Sequence, residues 1–298
     1  MRNNGMVSVA LVGLSLGIAL SIAWAVERGE TPPNSQANHA PRPAVSDRDV
    51  LQIAGSGSNL PLTQRLLRVW QAQSHVAAVL HPSIGTTGAL RALSDHAIHL
   101  GLISRELNRG ETEGGALTLE PYARSIVVFA AHPDTRDEAW TSGDVRATLS
   151  GHDTHWSDGS PRVWLMREVG DSSHLAAARG IAEFAAIEQQ AYRVGRFRVL
   201  YSDAELRTAL IATAGAVGLT DLGSIQIERL GLRPLALDGV EPTVANVRAG
   251  RYPLHKPLFF VLPRTVDPRV RQFVNFVHSL EGHRIIEENG YVPMDSVP

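Results

Sequence analysis

Four short stretches rich in glycine, serine and threonine stand where predicted strands give way to predicted helices. They are Gly55-Ser56-Gly57-Ser58-Asn59, Gly85-Thr86-Thr87-Gly88, Ile103-Ser104-Arg105-Glu106 and Arg167-Glu168-Val169-Gly170-Asp171-Ser172-Ser173. A helix start leaves main-chain N–H groups unpaired and carries partial positive charge. Glycine lets the backbone approach a ligand closely, and serine and threonine hydroxyls add donors. Several such termini facing one point make a site for a small oxyanion. The same alternation of strand and helix calls for an α/β fold with a largely parallel, doubly wound sheet. Ligands of such sheets bind at the carboxyl ends of the strands, where these turns lie.

The apolar periodicity supports that layout. Val50 to Ala54, Ile98 to Ile103, Val163 to Met166 and Ala216 to Thr220 read as buried strands. Pro61 suits a first helical turn, after which Leu62, Leu66, Val69 and Trp70 share one helical face. His75 to Ile84 reads as extended, Ala89 to Ser94 and Ser173 to Tyr192 as helical. Ser202-Asp203-Ala204-Glu205 fits a capping box opening a helix to Ala212, and Pro268 to Leu280 supplies a late amphipathic helix. Ser125 to Ala131 and Leu258 to Leu262 are strong β runs on either side of the second α/β set.

Length and charge narrow the class. A chain of 298 residues is long enough for two lobes. A formal net charge of −2 argues against a general nucleic-acid binder. With no cysteine, disulfides, thiolate metal sites, cysteine nucleophiles and a lipidated N-terminal cysteine are all excluded. Lys256 is the only lysine among the basic residues, and the scattered arginines are most simply a coding bias. Arg2 precedes an apolar stretch from Met6 to Val26 that ends in Ala23-Trp24-Ala25, the pattern of a secretory signal peptide or an uncleaved anchor. Residues 27–48 are polar and proline-containing and read as a flexible tether.

Each turn also has a plainer reading. Ser58 and Asn59 suit an ordinary helix cap, as do Thr86 and Ser104. Arg167 follows a strand, where its guanidinium either forks onto an oxyanion or pairs with nearby Glu168 or Asp171. The four together favour the anion. His152-Asp153-Thr154-His155 lacks a clear third metal ligand and reads as a solvated loop. There is no G-x-S-x-G elbow and no G-x-x-x-x-G-K-[ST] phosphate loop. No cofactor and no metal site are expected.

From these residues a family resemblance follows. Ile53 to Pro61 resembles the opening of the phosphate-binding proteins of bacterial ABC importers, and Ser83 to Ala89 resembles their second anion loop. Ile98 to Leu107 is similar to their D-I-G-x-x-S-R-x-L segment. Gly215 to Leu219, Arg251 to Leu258 and Asn289 to Pro293 resemble three further stretches, in order. The resemblance implies a periplasmic-binding-protein-like fold: two α/β lobes joined by two crossing strands, here Ser125–Ala131 and Leu258–Leu262. Lobe I would comprise 49–126 and 259–298, and lobe II 127–258, after a leader over 1–26. It also implies anion contacts at Ser58, Asn59, the Leu60 amide, Thr86, Ser104, Arg167, Asp171, Ser172 and Ser173.

Two departures stand out. Many family members carry an aspartate in the third loop that accepts a proton from bound phosphate; Ser104 stands there. In the fourth loop Asp171-Ser172-Ser173 replaces the usual Ser-Gly-Thr. Asp171 is therefore expected either to accept the proton of hydrogen phosphate, which sulfate lacks near neutral pH, or to cap the helix that follows. The resulting expectation is an exported, monomeric, non-enzymatic solute-binding protein. It would capture inorganic phosphate for an ABC transporter membrane permease in the periplasmic or extracytoplasmic space. The alternatives are another oxyanion (sulfate, molybdate, tungstate), a secreted serine hydrolase, or an anchored interaction protein whose cleft has lost its ligand.

Overall fold

The computed structural model describes residues 50–112 and 117–295. The leader and tether expected over 1–26 and 27–48 lie outside the described residues. Among the described residues no helix is long and apolar enough to cross a membrane. In the first part of the chain, β1 (Leu51–Gly55) leads to α1 (Leu60–Ser74) and β2 (Ala78–Leu80) to α2 (Gly85–Ser94). β3 (Leu100–Ile103) is followed by the four-residue α3 (Arg109–Thr112). The long β4 (Leu117–Ala131) then crosses into a second α/β set. That set runs β5 (Ala139–Trp140), α4 (Ser142–Ser150), β6 (Val163–Arg167), α5 (Ser172–Gly180), α6 (Phe184–Arg193) and β7 (Arg198–Leu200). It continues with α7 (Asp203–Ala212), β8 (Ala216–Asp221), α8 (Leu222–Glu228), β9 (Arg233–Pro234), β10 (Ala236–Leu237) and α9 (Val244–Arg248). β11 (His255–Pro263) crosses back, and α10 (Pro268–Val277), α11 (Leu280–Glu288) and β12 (Tyr291–Pro293) close the chain.

One curled sheet carries the strand order β2-β1-β3-β11-β4-β8-β6-β7. Its two ends are parallel, β2-β1-β3 and β8-β6-β7. The centre is antiparallel, where β11 pairs along its whole length with residues 117–126 of β4, with a register shift at Leu258/Phe259. Both crossing strands are longer than the apolar runs that marked them, and β4 spans two cores. One core packs Leu51, Leu62, Leu66, Trp70, Tyr122, Phe260 and Phe273. The other packs Phe129, Trp140, Trp156, Trp164, Phe184, Leu210 and Leu235. This is the two-lobe α/β arrangement anticipated from the sequence.

Local chemistry explains the departures from expectation. The helix expected over 173–192 breaks in two: α5 stops at Gly180, Ile181 turns extended and Glu183 takes a left-handed φ of 66°. Gly180 lies tight against β11's approach, where a Cβ would meet the Leu254 side chain at 2.5 Å, so the helix ends at its least helix-favouring residue. Within 75–84 only β2 is strand. The third turn opens no long helix; Ser104 and Arg105 form a bend before α3. Ser202 does cap α7, its hydroxyl accepting the Glu205 amide.

Candidate functional site

The four turns meet. A cavity of about 820 Å³ is lined by Ser56 and Gly57 from the β1–α1 turn, Thr86 and Thr87 from the start of α2 and Ser104 after β3. From the other core's side come Arg167, Asp171 and Ser172 at the β6–α5 turn, and Asp203 at the start of α7. The sheet order accounts for this. β1, β3 and β6 all end at this level, so the turns that follow them converge.

The first turn is built by glycine. A Cβ on Gly55 would stand 2.0 Å from the Leu102 carbonyl oxygen, so only glycine lets β1 run this close to β3. Among the described residues the amides of Gly57 and Ser58 make no hydrogen bond. The Leu60 amide is used within the turn, donating to the Gly57 carbonyl at 3.3 Å. Asn59 occupies the cap position of α1 but makes no side-chain cap. Its Nδ2 donates instead to the Ile103 carbonyl at 3.2 Å and the Tyr122 hydroxyl at 3.0 Å, tying the first turn to β3 and β4. Ser58 lies beneath the cavity, its hydroxyl 3.4 Å from Asp203 Oδ1.

A hydroxyl chain crosses the cavity floor. The Ser56 and Ser104 hydroxyl oxygens are 2.8 Å apart, and Ser104 donates to Ser172 at 2.9 Å. Below them lies the fully buried Lys256 of β11. Its Nζ donates to Ser58 and Ser173, each at 2.7 Å, and to Ser172 at 3.2 Å, and pairs with Asp221 at 3.1 Å. Asp221 in turn accepts from Ser125 at 2.6 Å.

Arg167 is enclosed by carboxylates. Its fork donates from Nε and Nη2 to Glu168 at 3.0 and 2.9 Å, and Nε also reaches the Leu200 carbonyl at 3.2 Å. Nη1 lies 2.9 Å from Asp203 and 3.4 Å from Asp171. Of the two readings open to Arg167, the carboxylate pairing is the one occupied. Burial would lower its pKa, but Asp203, Asp171 and Glu168 outweigh it and raise it. Asp171 caps α5, accepting the Ser173 amide at 2.9 Å and the His174 amide at 3.3 Å through one oxygen. Burial pushes its carboxyl up, yet the Lys256 and Arg167 charges hold it below the usual carboxylate range. Burial pushes Asp203 above that range; Arg167 opposes the rise and the Asp171 charge adds to it.

Thr86, Ser104, Arg167, Asp171 and Ser172 therefore line the cavity, whereas Ser58, Asn59 and Ser173 are buried beneath it and the half-buried Leu60 packs against the first core. The sequence reading missed three groups: Asp203, Asp221 and Lys256. Asp203 was visible only as part of a capping box. Lys256 carried one signal, its singularity in a chain of arginines. Together the cations Arg167 and Lys256 face Asp171, Asp203 and Asp221, with Glu168 at the solvent edge, so the pocket is rich in both hydroxyl donors and carboxylate acceptors.

A cleft between two α/β lobes joined by crossing strands, floored with helix starts and hydroxyls, defines a solute-binding protein. The chain belongs to the PBP superfamily, whose domain description matches residues 35–281. It is 22% identical over 252 residues to the phosphate-binding protein PstS of Borreliella burgdorferi, covering 82% of this chain and 89% of that one. Its fold matches the phosphate-bound structure of a Clostridium perfringens protein described as a phosphate ABC transporter substrate-binding protein. That match has a TM-score of 0.70 at 18% identity, over 83% of this chain and 100% of the other. An ABC-type phosphate transport receptor from Vibrio cholerae matches with a TM-score of 0.58 at 18% identity, over 81% and 99%.

Proposed function

We propose that this protein captures phosphate in its protonated forms between its lobes and presents it, outside the cytoplasm, to an ABC-type importer. The observation that carries this reading is the pairing of hydroxyl donors with carboxylates in one cleft. Ser172, at the end of the hydroxyl chain through Ser56 and Ser104, and Thr86, with the free Gly57 and Ser58 amides, supply donors to phosphoryl oxygens. Asp171 and Asp203 supply acceptors for the ligand's own O–H groups. A fully ionised anion meets repulsion from those carboxylates; a protonated one turns them into charge-assisted acceptors. Capture is lobe closure about β4 and β11, as hinge motion closes other two-lobe binders. The permease reads the closed form.

Asp171→Asn tests the acceptor role. Asparagine caps a helix about as well as aspartate, so α5 stays in place while the charge goes. Calorimetry is expected to show phosphate weakened by roughly 10- to 100-fold, with the preference over sulfate reduced in proportion. An unchanged phosphate-to-sulfate ratio sinks the assignment of Asp171 as selector. A wild-type protein that binds neither anion sinks the proposed function.

The pH dependence has a definite sign. Asp171 and Asp203 accept the ligand's own O–H groups, so the cleft favours the protonated ligand. As pH falls the ligand gains the proton that those acceptors bind. Asp171, held low, stays ionised throughout and adds no slope. Phosphate affinity is therefore expected to rise between pH ~8 and pH ~6, by at most about tenfold per unit for each proton taken up. Titrations at several pH values check this, and an affinity that climbs with pH contradicts it.

A further inference from the structure

We propose that Lys256 is a positioning residue for the anion: its buried ammonium fixes which way the serine hydroxyls of the cleft donate. The inference rests on the phosphate reading above. Lys256 stands on β11, one of the two strands that cross between the lobes. Its neighbours come from both sides of the cleft: Ser58 from the β1–α1 turn, Ser172 and Ser173 from the start of α5, and Asp221 from the end of β8.

Hydrogen-bond capacity makes the argument. An ammonium has three donors and no acceptor. Here those donors meet four oxygens, Ser58 and Ser173 at 2.7 Å and Asp221 and Ser172 at 3.1 and 3.2 Å. No N–H is left for a ligand, and Lys256 is fully buried, so it acts through the serines. A hydroxyl has one hydrogen and two lone pairs. Ser172 accepts from Ser104 and shares an ammonium hydrogen with a neighbouring oxygen, so its lone pairs face donors and its single O–H is left to donate. Among the described residues it has no acceptor; the cavity it lines supplies one when an anion enters. The chain Ser56, Ser104, Ser172 then runs in one direction, toward the ligand. Ser58 and Ser173 likewise have one lone pair turned back to Nζ. Without the ammonium each hydroxyl is free to rotate and accept, and an accepting hydroxyl presents a lone pair to an anion.

The competing role is charge balance alone, since Lys256 also neutralises the fully buried Asp221. Two variants separate the roles. Lys256→Met removes the ammonium but strands Asp221. Lys256→Met/Asp221→Asn removes both charges and leaves a carbonyl oxygen to accept from Ser125. Both are made in the full-length chain, and thermal unfolding and calorimetry with inorganic phosphate are measured on each. The expected result is that the double variant recovers most of the stability lost in the single one, yet binds phosphate roughly 10- to 100-fold more weakly than wild type. Affinity within twofold of wild type in the folded double variant overturns the inference and leaves the phosphate reading standing. Absence of phosphate binding in the wild type overturns both.

Discussion

Arg167→Met is expected to cost about 3–5 kcal/mol of stability and to reduce phosphate affinity by on the order of 100-fold. The stability loss comes from what the guanidinium leaves behind. Asp171 and Asp203 are both buried and both lean on Nη1, and without it two like charges are left side by side on one wall of the cleft. Removing one partner of a buried ion pair strands the other charge in a medium that solvates it poorly. The Leu200 carbonyl also loses its donor, which loosens β7 against β6. A second substitution separates folding from binding. In the Arg167→Met background, Asp203→Asn removes one stranded carboxylate and is expected to recover much of the lost stability. Binding is not expected to recover, because the cation that faces the phosphoryl oxygens is still missing. The partner that yields to the ligand is Glu168, whose side chain is 37% exposed and is therefore the one member of the cluster with water to return to. Urea unfolding gives the first quantity and calorimetry the second. Equal loss of both, recovered together by Asp203→Asn, would show that Arg167 only holds the cleft in shape.

How much of this was legible in the residues follows from the range of each interaction. The turns were legible because a turn is local: Gly55 and Gly170 mark backbone that other residues do not fit, and Ser202 sits three residues before the amide it caps. The two lobes were legible through the order of apolar runs. The ends of β4 and β11 were not, because the charged and proline residues extending them, such as Arg124 and Pro257, belong to strands for reasons of pairing rather than propensity. Asn59 shows the same limit at the site. Its type and its place before Pro61 announced a helix cap, but Tyr122, 63 residues away, offered its amide a buried partner instead. Local propensity lost to a tertiary contact. Lys256 and Asp221 form a pair only after β11 and β8 are both set beside β4, and no spacing along the chain encodes that proximity. What a single sequence did show was that a lysine stood alone among arginines, and an ammonium that bonds in several directions does what a planar guanidinium cannot.

Gly57→Ala isolates closure from chemistry. Gly57 is not in a left-handed conformation, so alanine brings no backbone strain of its own. What it brings is a methyl group that would stand 2.3 Å from Asp203 Oδ2 and 3.1 Å from its Cγ. A free carboxylate would swing aside at little cost. Asp203 is not free: Arg167 holds it at 2.9 Å, and it is buried. The methyl and the carboxylate belong to opposite sides of the cleft, so the clash exists only when the sides approach. The structure holds the sides at that approach, and opening them relieves the contact, so unfolding stability without ligand is expected to fall by less than the overpacking cost of about 1–3 kcal/mol. Phosphate affinity is expected to fall by roughly tenfold or more, since closing then costs an overpacked contact of about 1–3 kcal/mol. Small-angle scattering at saturating phosphate distinguishes the causes. A variant that stays expanded while phosphate is bound places the defect in closure. A variant that compacts and binds like wild type means Asp203 gives way more easily than its contacts with Arg167 imply, and the approach of α7 to the first turn is then no part of capture.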